Sequence, residues 1–320
     1  MKAQFLSPLA LFASATLPLA TAIAAPSPSF LEPADAGPDF AVQGEYTGDH
    51  CAAQVIALGN GNFRIVGWSK GLPGAVEGAE KNVTVDAKTE GDRVVFDGAG
   101  WKGHIQNGTL SGTGDNGKSW ELKRIVRESP TLGAKPPEGA VVLFDGSNAE
   151  AWAGGKMDER KFLSVGTKSV RTFGDIHLHL EFRTPYMPEA RGQARGNSGV
   201  YVQNRYECQI LDSFGLEGAD NEAGGLYKIS KPKLNMCLPP LSWQTYDIDF
   251  ESARYDAEGK KVKNAVLTSR LNGVLIQDRV ELPTSTAAAG QKEGPEPGPI
   301  YLQNHGNPVF FKNIWVVEKK

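Results

Sequence analysis

Cysteine is scarce in this sequence, with only Cys51, Cys208 and Cys237 among 320 residues. So few cysteines, in an odd number, do not form a disulfide framework, and neither a CxxC nor an HExxH motif occurs. His177 and His179 share one phase of a strand pattern, but no third ligand accompanies them, so a structural zinc site is not expected. The sequence therefore predicts no metal centre and no other cofactor.

An excess of positive charge is also missing. The chain has 34 Lys and Arg against 37 Asp and Glu, a formal net charge of −3, and contains no basic tract. This charge balance gives no reason to expect nucleic acid or an anionic membrane as a partner. Beyond the N-terminus no apolar run is long enough to span a bilayer, so we predict no membrane span in the mature protein.

The N-terminus has the layout of a secretory signal peptide. Lys2 precedes an apolar run, and Ala22-Ile23-Ala24 supplies a small-residue cleavage site. A membrane anchor is less consistent with the sequence, because Pro8 and Pro18 interrupt a run that is already short. We predict a signal peptide over residues 1–24, a linker over residues 25–39, and a secreted or periplasmic protein.

The remaining sequence is rich in turns, with 37 glycines and 20 prolines, which favours β architecture over helical bundles. Residues 40–127 predict a small all-β accessory domain, a β-meander in which we find no catalytic arrangement. Residues 128–138 predict a second linker. Residues 139–320 predict a two-sheet antiparallel sandwich. Asn-Gly pairs, which favour two-residue hairpin turns, occur at Asn60-Gly61, Asn107-Gly108, Asn116-Gly117 and Asn272-Gly273.

Residues 172–213 contain three segments in which apolar and polar residues alternate, as in strands with one buried face. The apolar phase comprises Ile176, Leu178, Leu180, Phe182, Val200, Val202, Tyr206, Cys208 and Ile210. The polar phase comprises His177, His179, Glu181, Arg183, Asn197, Tyr201, Gln203, Arg205, Glu207 and Gln209. Arg, Asn, Gln, Tyr and Glu offer planar hydrogen-bonding groups, which suits a polyhydroxylated ligand. The alternative is a polar face that only meets solvent.

The second half of the chain contains the segments LFDG, FGDIHLHLEFR, GQARGNSGVYVQNRYECQILDSFG, GGLY, WQTYDI and YLQNHGNPVFFKNIWV. Together these segments resemble the 3-keto-disaccharide hydrolase family. The resemblance extends from about Gly139 to Lys320 and leaves the N-terminal β domain outside. It implies a concanavalin A-like jelly roll, two curved antiparallel sheets with a glycan cleft on the concave face. It also implies a carbohydrate substrate.

The resemblance further implies cleavage of glycosides whose C3 hydroxyl has been oxidised to a ketone by another enzyme, an upstream sugar 3-dehydrogenase. The ketone acidifies the C2 proton, so a base can form an enolate that expels the C1 substituent before water adds. Such a site needs a base near C2, a cation or hydrogen-bond donor near the C3 oxygen, and an acid for the leaving oxygen.

On this chemistry we assign Glu207 as the candidate base, provided that burial beside Tyr201 and Gln209 raises its pKa. The alternative is that Glu207 pairs with Arg183 or Arg195. His305, whose pKa needs little tuning, is a candidate base or acid, or a residue that only binds sugar. Arg183 and Arg195 are candidates to hold the keto or enolate oxygen, or to pair with acidic side chains.

The remaining polar positions are predicted to bind substrate. Besides Glu181, a weaker candidate base, and Arg183, the substrate-binding set comprises Asn197, Tyr201, Gln203, Gln209 and Gln303. Gly196 and Gly199 are predicted to allow close backbone approach or a β-bulge. Asp212 fits a turn, and the alternative is that it binds a divalent cation such as calcium. Asp247 and Asp249 are assigned to the solvent face of the convex sheet.

The sequence thus predicts an exported two-domain β protein that cleaves 3-keto-glycosides by elimination and hydration. One alternative is a carbohydrate-binding protein that uses the same concave face without catalysis. A second alternative is a conventional glycosidase, which needs two carboxylates flanking the anomeric carbon. The core motif offers one convincing acid.

Overall fold

The computed structural model describes residues 27–114 and 116–319. The predicted signal peptide, residues 1–24, lies outside the described residues. Within the described part, no helix is both long and apolar enough to cross a membrane. The fold is nearly all-β, with 4% of residues helical and 48% in strands, which confirms the predicted fold class. Within residues 27–114 and 116–319 the helical elements are the 3-10 helices Pro33–Asp35 and Gly192–Ala194 and one short α-helix, α1 (Gly37–Val42).

The first half of the described chain forms a closed eight-stranded barrel in which each strand pairs with the next in sequence. Its strands are β1 (Gly44–Thr47), β2 (Cys51–Gly59), β3 (Asn62–Ser69), β4 (Glu80–Glu90), β5 (Arg93–Gly98), β6 (Trp101–Gln106), β7 (Thr109–Gly114) and β8 (Ser119–Ile125). Two of the predicted Asn-Gly hairpins connect β2 to β3 and β6 to β7, and both residues of each pair have positive φ, as such turns require. Pairing of β1 with β8 closes the barrel.

The second half forms a sandwich of two antiparallel sheets. Its strands are β9 (Val141–Phe144), β10 (Trp152–Ala153), β11 (Leu163–Ser164), β12 (Thr167–Phe173), β13 (Ile176–Arg183), β14 (Ser198–Val202), β15 (Tyr206–Ile210), β16 (Gln244–Glu251), β17 (Arg254–Tyr255), β18 (Lys261–Lys263), β19 (Ala265–Leu271), β20 (Val274–Leu282), β21 (Gly298–Leu302) and β22 (Phe310–Glu318). The five-stranded sheet has the order β10-β12-β21-β14-β15. The seven-stranded sheet has the order β11-β22-β13-β16-β19-β20, with β9 paired to β22, and β17 and β18 form a separate pair.

The apolar core lies between these two sheets. The residues assigned to the apolar phase, from Ile176 to Ile210, are all at most 1% exposed and belong to one apolar cluster. Cys208 is one of them, and all three cysteines are free. Each sheet therefore has one face in the core and presents its polar residues on its outer face, away from the other sheet.

The barrel packs directly against the sandwich. Five residues on its outer surface belong to the same apolar cluster as the sandwich core, namely Ala52, Ile56, Val66, Trp68 and Leu72. The barrel interior has its own cluster, which includes Tyr46, Phe63 and Phe96. The two halves of the chain thus share buried apolar surface, which stabilises them as one unit.

Residues 126–140, which we call the connecting segment, cross the outer face of the seven-stranded sheet. Thr131 donates a hydrogen bond to Asp247 (2.9 Å), and the backbone N–H of Gly133 donates to Glu181 (2.6 Å). The carbonyl of Ala134 accepts a hydrogen bond from the indole N–H of Trp315 (3.2 Å). This part of the outer face is therefore covered by the chain itself.

Candidate active site

A row of polar and aromatic side chains crosses the outer face of the five-stranded sheet. Lys168 of β12 pairs with Tyr301 of β21, Tyr301 with Tyr201 of β14, and Tyr201 with Glu207 of β15. The row continues to Tyr227, whose backbone N–H donates to the carbonyl of Glu207 (3.2 Å). Paired residues in antiparallel strands project on the same face, so these side chains form one continuous surface.

A glycine makes room for the carboxylate of Glu207. Gly199 lies opposite Gln209 in the β14–β15 hairpin, and its carbonyl accepts a hydrogen bond from the backbone N–H of Gln303 (2.9 Å). A β-carbon added to Gly199 would lie 2.2 Å from Oε1 of Glu207. Only glycine at this position therefore lets the carboxylate lie across β14.

Glu207 is 2% exposed, and its surroundings favour the protonated form. Burial raises the pKa of Glu207 to about 7, and the hydrogen bond from Tyr201 lowers it only in part. Among the described residues no cation forms an ion pair with this carboxylate, since Arg183 pairs with Glu32 and Arg195 pairs with Asp212. At neutral pH the side chain can therefore both accept and return a proton.

The hydroxyl of Tyr201 connects three groups. It donates to Oε2 of Glu207 (2.7 Å), with the carbonyl of Ala287 at 3.4 Å as a second acceptor. It accepts a hydrogen bond from the amide N–H of Gln303 (3.2 Å). Burial and the nearby Glu207 raise the pKa of Tyr201 well above its usual value, so this hydroxyl stays protonated and orients the carboxylate.

Three predicted sugar ligands surround this pair and retain free acceptor atoms. Gln193, in the second 3-10 helix, accepts hydrogen bonds from the amides of Gln209 (3.1 Å) and Asn197 (3.2 Å). The side-chain oxygens of Gln209, Asn197 and Gln303 are buried and have no partner among the described residues. Buried acceptors without a donor are costly, whereas the hydroxyl groups of a sugar would satisfy them.

Arg195 occupies the boundary between the sandwich and the barrel. It is 5% exposed, its Nε donates to Asp212 (2.7 Å), and its Nη1 donates to the carbonyl of Ala57 in β2 (3.2 Å). Asp212 also accepts a hydrogen bond from the backbone N–H of Phe214 (3.4 Å), as in a turn. The role of Arg195 at the C3 oxygen and a calcium ion near Asp212 both stay predictions.

Glu181 and Arg183 lie on β13 of the seven-stranded sheet, across the apolar core from Glu207. Glu181 accepts hydrogen bonds from the connecting segment and from Asn313 (2.8 Å), and its carboxylate lies 3.7 Å from buried His179. Burial raises the pKa of Glu181, but these donors outweigh it and hold that pKa below its usual value. Neither residue shares a face with Glu207.

Two other predicted residues lie in turns after strands. His305 is exposed and follows the end of β21 in a turn where the backbone N–H of Gly306 donates to Asn304 (2.9 Å). Gln203 has φ of 55° in the turn after β14 and donates to the carbonyl of Phe173 (3.0 Å). No hydrogen bond in the described part of the chain joins either residue to the group around Glu207.

Some residues at the site were not among the predicted ligands. Gln193 lies in a glycine-rich loop whose conformation no periodic pattern reveals. Thr286, which accepts a hydrogen bond from the backbone N–H of Glu207 (3.0 Å), lies in a long loop after β20 and gave no signal. Tyr227 lies within the GGLY segment, which the resemblance includes but to which it assigns no role.

The 3-keto-alpha-glucoside-1,2-lyase-like domain family matches residues 139–317, more than half of the chain. The chain belongs to this family. The 3-keto-alpha-glucoside-1,2-lyase-like domain thus contains both sheets of the sandwich and the whole row from Lys168 to Tyr227, while the barrel lies outside it. The resemblance predicted from the sequence is confirmed. The comparison with curated protein sequences gave no match.

A solved structure of similar fold comes from Parabacteroides distasonis ATCC 8503 and is provisionally described as a glycosyl hydrolase. It is 30% identical, with a TM-score of 0.52, and the match covers 57% of this chain and 85% of the other. A second structure from the same organism, with the same description, is 17% identical, with a TM-score of 0.43, over 61% of this chain and 99% of the other. The jelly-roll fold of the family domain agrees with the first match.

The chemistry available around Glu207 is that of one buried carboxylate with a pKa of about 7, a phenol donor and several amides. Within the described residues, the hydrogen-bonded group around Glu207 contains no second carboxylate, such as the acid pair of conventional glycosidases. Nor do the described residues include a cluster of three or more His, Cys, Asp or Glu side chains arranged to hold a metal ion. The arrangement can move a proton at neutral pH and bind hydroxyl groups around it.

Proposed function

We propose that the sandwich domain is a hydrolase-like enzyme that cleaves 3-keto-glycosides by elimination and hydration, with Glu207 as the base. The observation that carries this proposal is the buried carboxylate of Glu207, whose pKa of about 7 matches a proton acceptor at neutral pH. Family membership supports the reaction class. The buried amide oxygens beside Glu207 support a polyhydroxylated substrate.

In the proposed reaction Glu207 removes the proton from C2, and the electron pair of the C–H bond forms an enolate whose charge rests on the C3 oxygen. Collapse of the enolate restores the ketone, forms a C1–C2 double bond and expels the C1 oxygen, which takes up a proton. Water then adds to C1 and a proton returns to C2. Tyr201 keeps Glu207 oriented throughout, and Gln209, Gln303 and Asn197 bind sugar hydroxyl groups.

The main alternative is a carbohydrate-binding protein that uses the same face. Recognition alone gains nothing from a buried acid that loses its proton near pH 7, because burying a carboxylate costs stability. This argument favours catalysis. A conventional glycosidase is less consistent with the site, since the group around Glu207 offers one carboxylate.

Two further expectations follow from the sequence and stay proposals. The N-terminal signal layout supports a secreted or periplasmic location. The required C3 ketone implies an upstream sugar 3-dehydrogenase that oxidises the glycoside first, because nothing in the proposed steps changes the oxidation state of the sugar overall.

The test is turnover of methyl 3-keto-glucoside and 3-keto-trehalose by the purified protein in deuterated water. We expect 3-keto-glucose carrying deuterium at C2, and a loss of kcat/KM of roughly 10²–10⁴-fold in Glu207→Gln, the range typical of general-base removal. Glu121→Gln, at an exposed glutamate in the barrel, is the matched control. If no 3-keto substrate is cleaved, but unoxidised glycans bind equally well to wild type and Glu207→Gln, the binding-protein alternative is correct.

A further inference from the structure

The row that contains Glu207 extends well beyond the sugar it would deprotonate. From Glu207 through Tyr201 and Tyr301 to Lys168 there are three steps between paired strands, a span of roughly 14 Å at about 4.8 Å per step. A single sugar ring held at Glu207 occupies one end of this span. The other end, formed by Tyr301 and Lys168, is close enough to contact a substituent on C1 of that sugar.

Tyr301 supplies an aromatic surface at this end. Its ring is half-buried, with its centroid 5.6 Å from that of Tyr201 and a tilt of 43° between the rings. Buried Tyr201 supports the ring from one side, and the remaining exposed surface can take a ligand. Aromatic rings bind other rings by offset or edge-to-face contact, an interaction stronger than area burial alone provides.

Lys168 supplies a positive charge without a counter-ion. Its side chain is exposed, and its ammonium lies 5.3 Å from the centroid of the Tyr301 ring. Among the described residues no carboxylate forms an ion pair with Lys168, whereas Lys228, beside the ring of Tyr227, pairs with Asp220 at 3.8 Å. On the other side of β12, the residue of β10 that pairs with Lys168 is Ala153. Its small side chain leaves the ammonium accessible.

We propose that Tyr301 and Lys168 form a subsite for the leaving group, and that this subsite selects an aromatic leaving group bearing a negative charge. Such substrates are aryl glycosides whose ring carries a carboxylate. The ring of the leaving group packs on Tyr301, and its carboxylate pairs with the ammonium of Lys168. This inference rests on the proposed function of Glu207, and it adds the chemical class of the group that the reaction expels.

The test compares kcat/KM for three 3-keto-glucosides whose leaving groups are methanol, phenol and 4-hydroxybenzoate. Phenol and 4-hydroxybenzoate differ as leaving groups. We therefore take the ratio of kcat/KM between two substrates in a variant and divide it by the same ratio in wild type. In Lys168→Ala we expect the preference for 4-carboxyphenyl over phenyl to fall by up to about fivefold, as for an exposed ion pair. In Tyr301→Ala we expect both aryl substrates to lose roughly 2–10-fold relative to the methyl substrate.

Lys228→Ala is the matched control, since it removes a second lysine that lies beside a tyrosine ring but is already paired. The proposal is overturned if the carboxyphenyl-to-phenyl ratio is the same in Lys168→Ala, Lys228→Ala and wild type. The same conclusion follows if Tyr301→Ala affects all three substrates equally.

Binding to the Glu207→Gln protein separates this proposal from the proposed function. Calorimetry with 4-carboxyphenyl and phenyl glucosides on that background, with and without Lys168→Ala, measures the subsite in the absence of turnover. A preference for the carboxyphenyl ligand that depends on Lys168 supports the subsite even if no 3-keto substrate is cleaved. Equal binding of both ligands, whatever residue is present at 168, overturns it.

Discussion

The pKa of Glu207 is set by burial and by the few groups that contact its carboxylate. Its carboxylate has one strong donor, Tyr201, at 2.7 Å and no cationic partner among the described residues. The desolvation of the charged form therefore outweighs the hydrogen bond. By contrast Asp249, at the surface of the other sheet, receives hydrogen bonds from His177 and Lys319, which hold its pKa well below the usual range.

The raised pKa predicts a pH-dependent stability difference for Glu207→Gln. Because the folded-state pKa of about 7 exceeds the unfolded value of about 4.3, the native state binds the proton more tightly. Below about pH 4.3 the protonated carboxyl makes its full favourable contribution to the free energy of unfolding. This contribution is lost as the pH rises through about 7. The neutral amide avoids this loss. We expect the stability of Glu207→Gln relative to wild type to increase by about 3 kcal/mol between pH 4 and pH 8.

Urea unfolding at pH 4, 6 and 8 measures this difference directly. Glu121→Gln, which changes an exposed glutamate in the same way, controls for general effects of losing a carboxylate. A difference between Glu207→Gln and wild type that stays constant across this range would contradict the raised pKa.

We predict that Tyr201→Phe shifts the pH dependence of kcat/KM to higher pH. The hydrogen bond from Tyr201 lowers the pKa of Glu207, so its removal leaves only the effect of burial. The acid limb of kcat/KM, where the base must lose its proton, should move to higher pH. Carbon NMR of the Glu207 carboxyl should show the same upward shift without reference to activity. An unmoved limb together with an unmoved NMR titration would show that Tyr201 has no influence on the base.

At the scale of elements, β14 makes room for the Glu207 carboxylate because Gly199 has no side chain. Gly199 is flanked by Val200 and Ser198, both fully buried, and faces the carboxylate of Glu207. The hairpin with β15 therefore brings the Glu207 carboxylate across its neighbouring strand rather than out into solvent. A glycine in the interior of a strand weakens the strand, and here the space that it leaves holds the catalytic candidate.

Gly199→Ala is expected to abolish this placement while the fold persists. The added methyl would lie 2.2 Å from Oε1 and 3.0 Å from Cδ of Glu207, so the side chain must rotate away from Tyr201. We expect kcat/KM to fall by roughly 10²-fold or more, as when a base loses its position, with far-UV circular dichroism unchanged. Gly174→Ala, whose methyl meets nothing closer than 4.0 Å, should retain wild-type activity. Equal activity of the two variants would refute the role of Gly199.

The strand pattern predicted much of this site, and its limits are physical. Period-two alternation placed Tyr201 and Glu207 on one face and Cys208 in the core, because β14 and β15 form a regular hairpin. It also identified the polar face of β13, with Glu181, but alternation identifies a face and not the sheet to which a strand belongs. His305 lies beyond the end of β21 at Leu302, where strand alternation no longer predicts the direction of a side chain.

At the scale of the whole molecule, the barrel and the sandwich depend on each other. The Asn-Gly turns predicted two of the hairpins of the barrel. Closure requires pairing of Glu45 with Ile125 across the whole region, which no local pattern encodes. Nor does local sequence show that one outer surface of the barrel enters the sandwich core. Such contacts depend on the finished shape of both parts.

Arg195→Leu should reveal this dependence as a loss of stability. The variant leaves Asp212 buried without its partner and removes the hydrogen bond to the carbonyl of Ala57. Breaking a buried pair in this way costs about 3–5 kcal/mol. Arg64→Ala, at a pair whose side chains are 46% and 69% exposed, should cost at most about 1 kcal/mol. Denaturant unfolding followed by tryptophan fluorescence compares them, and similar costs for the two variants would show that Arg195 does not join the two parts.

The attachment of the first described residues determines how the molecule would bear a mechanical load. Phe30 exchanges two backbone hydrogen bonds with Tyr186 of the sandwich, at 2.9 and 3.0 Å, and Glu32 binds Arg183. These contacts come before the barrel in the chain, and the connecting segment is held on the sandwich after it. A force applied at residue 27 would therefore act on the sandwich before it acts on the barrel. The barrel, lying between two points of attachment, would carry no tension until the pairing of Phe30 with Tyr186 had sheared.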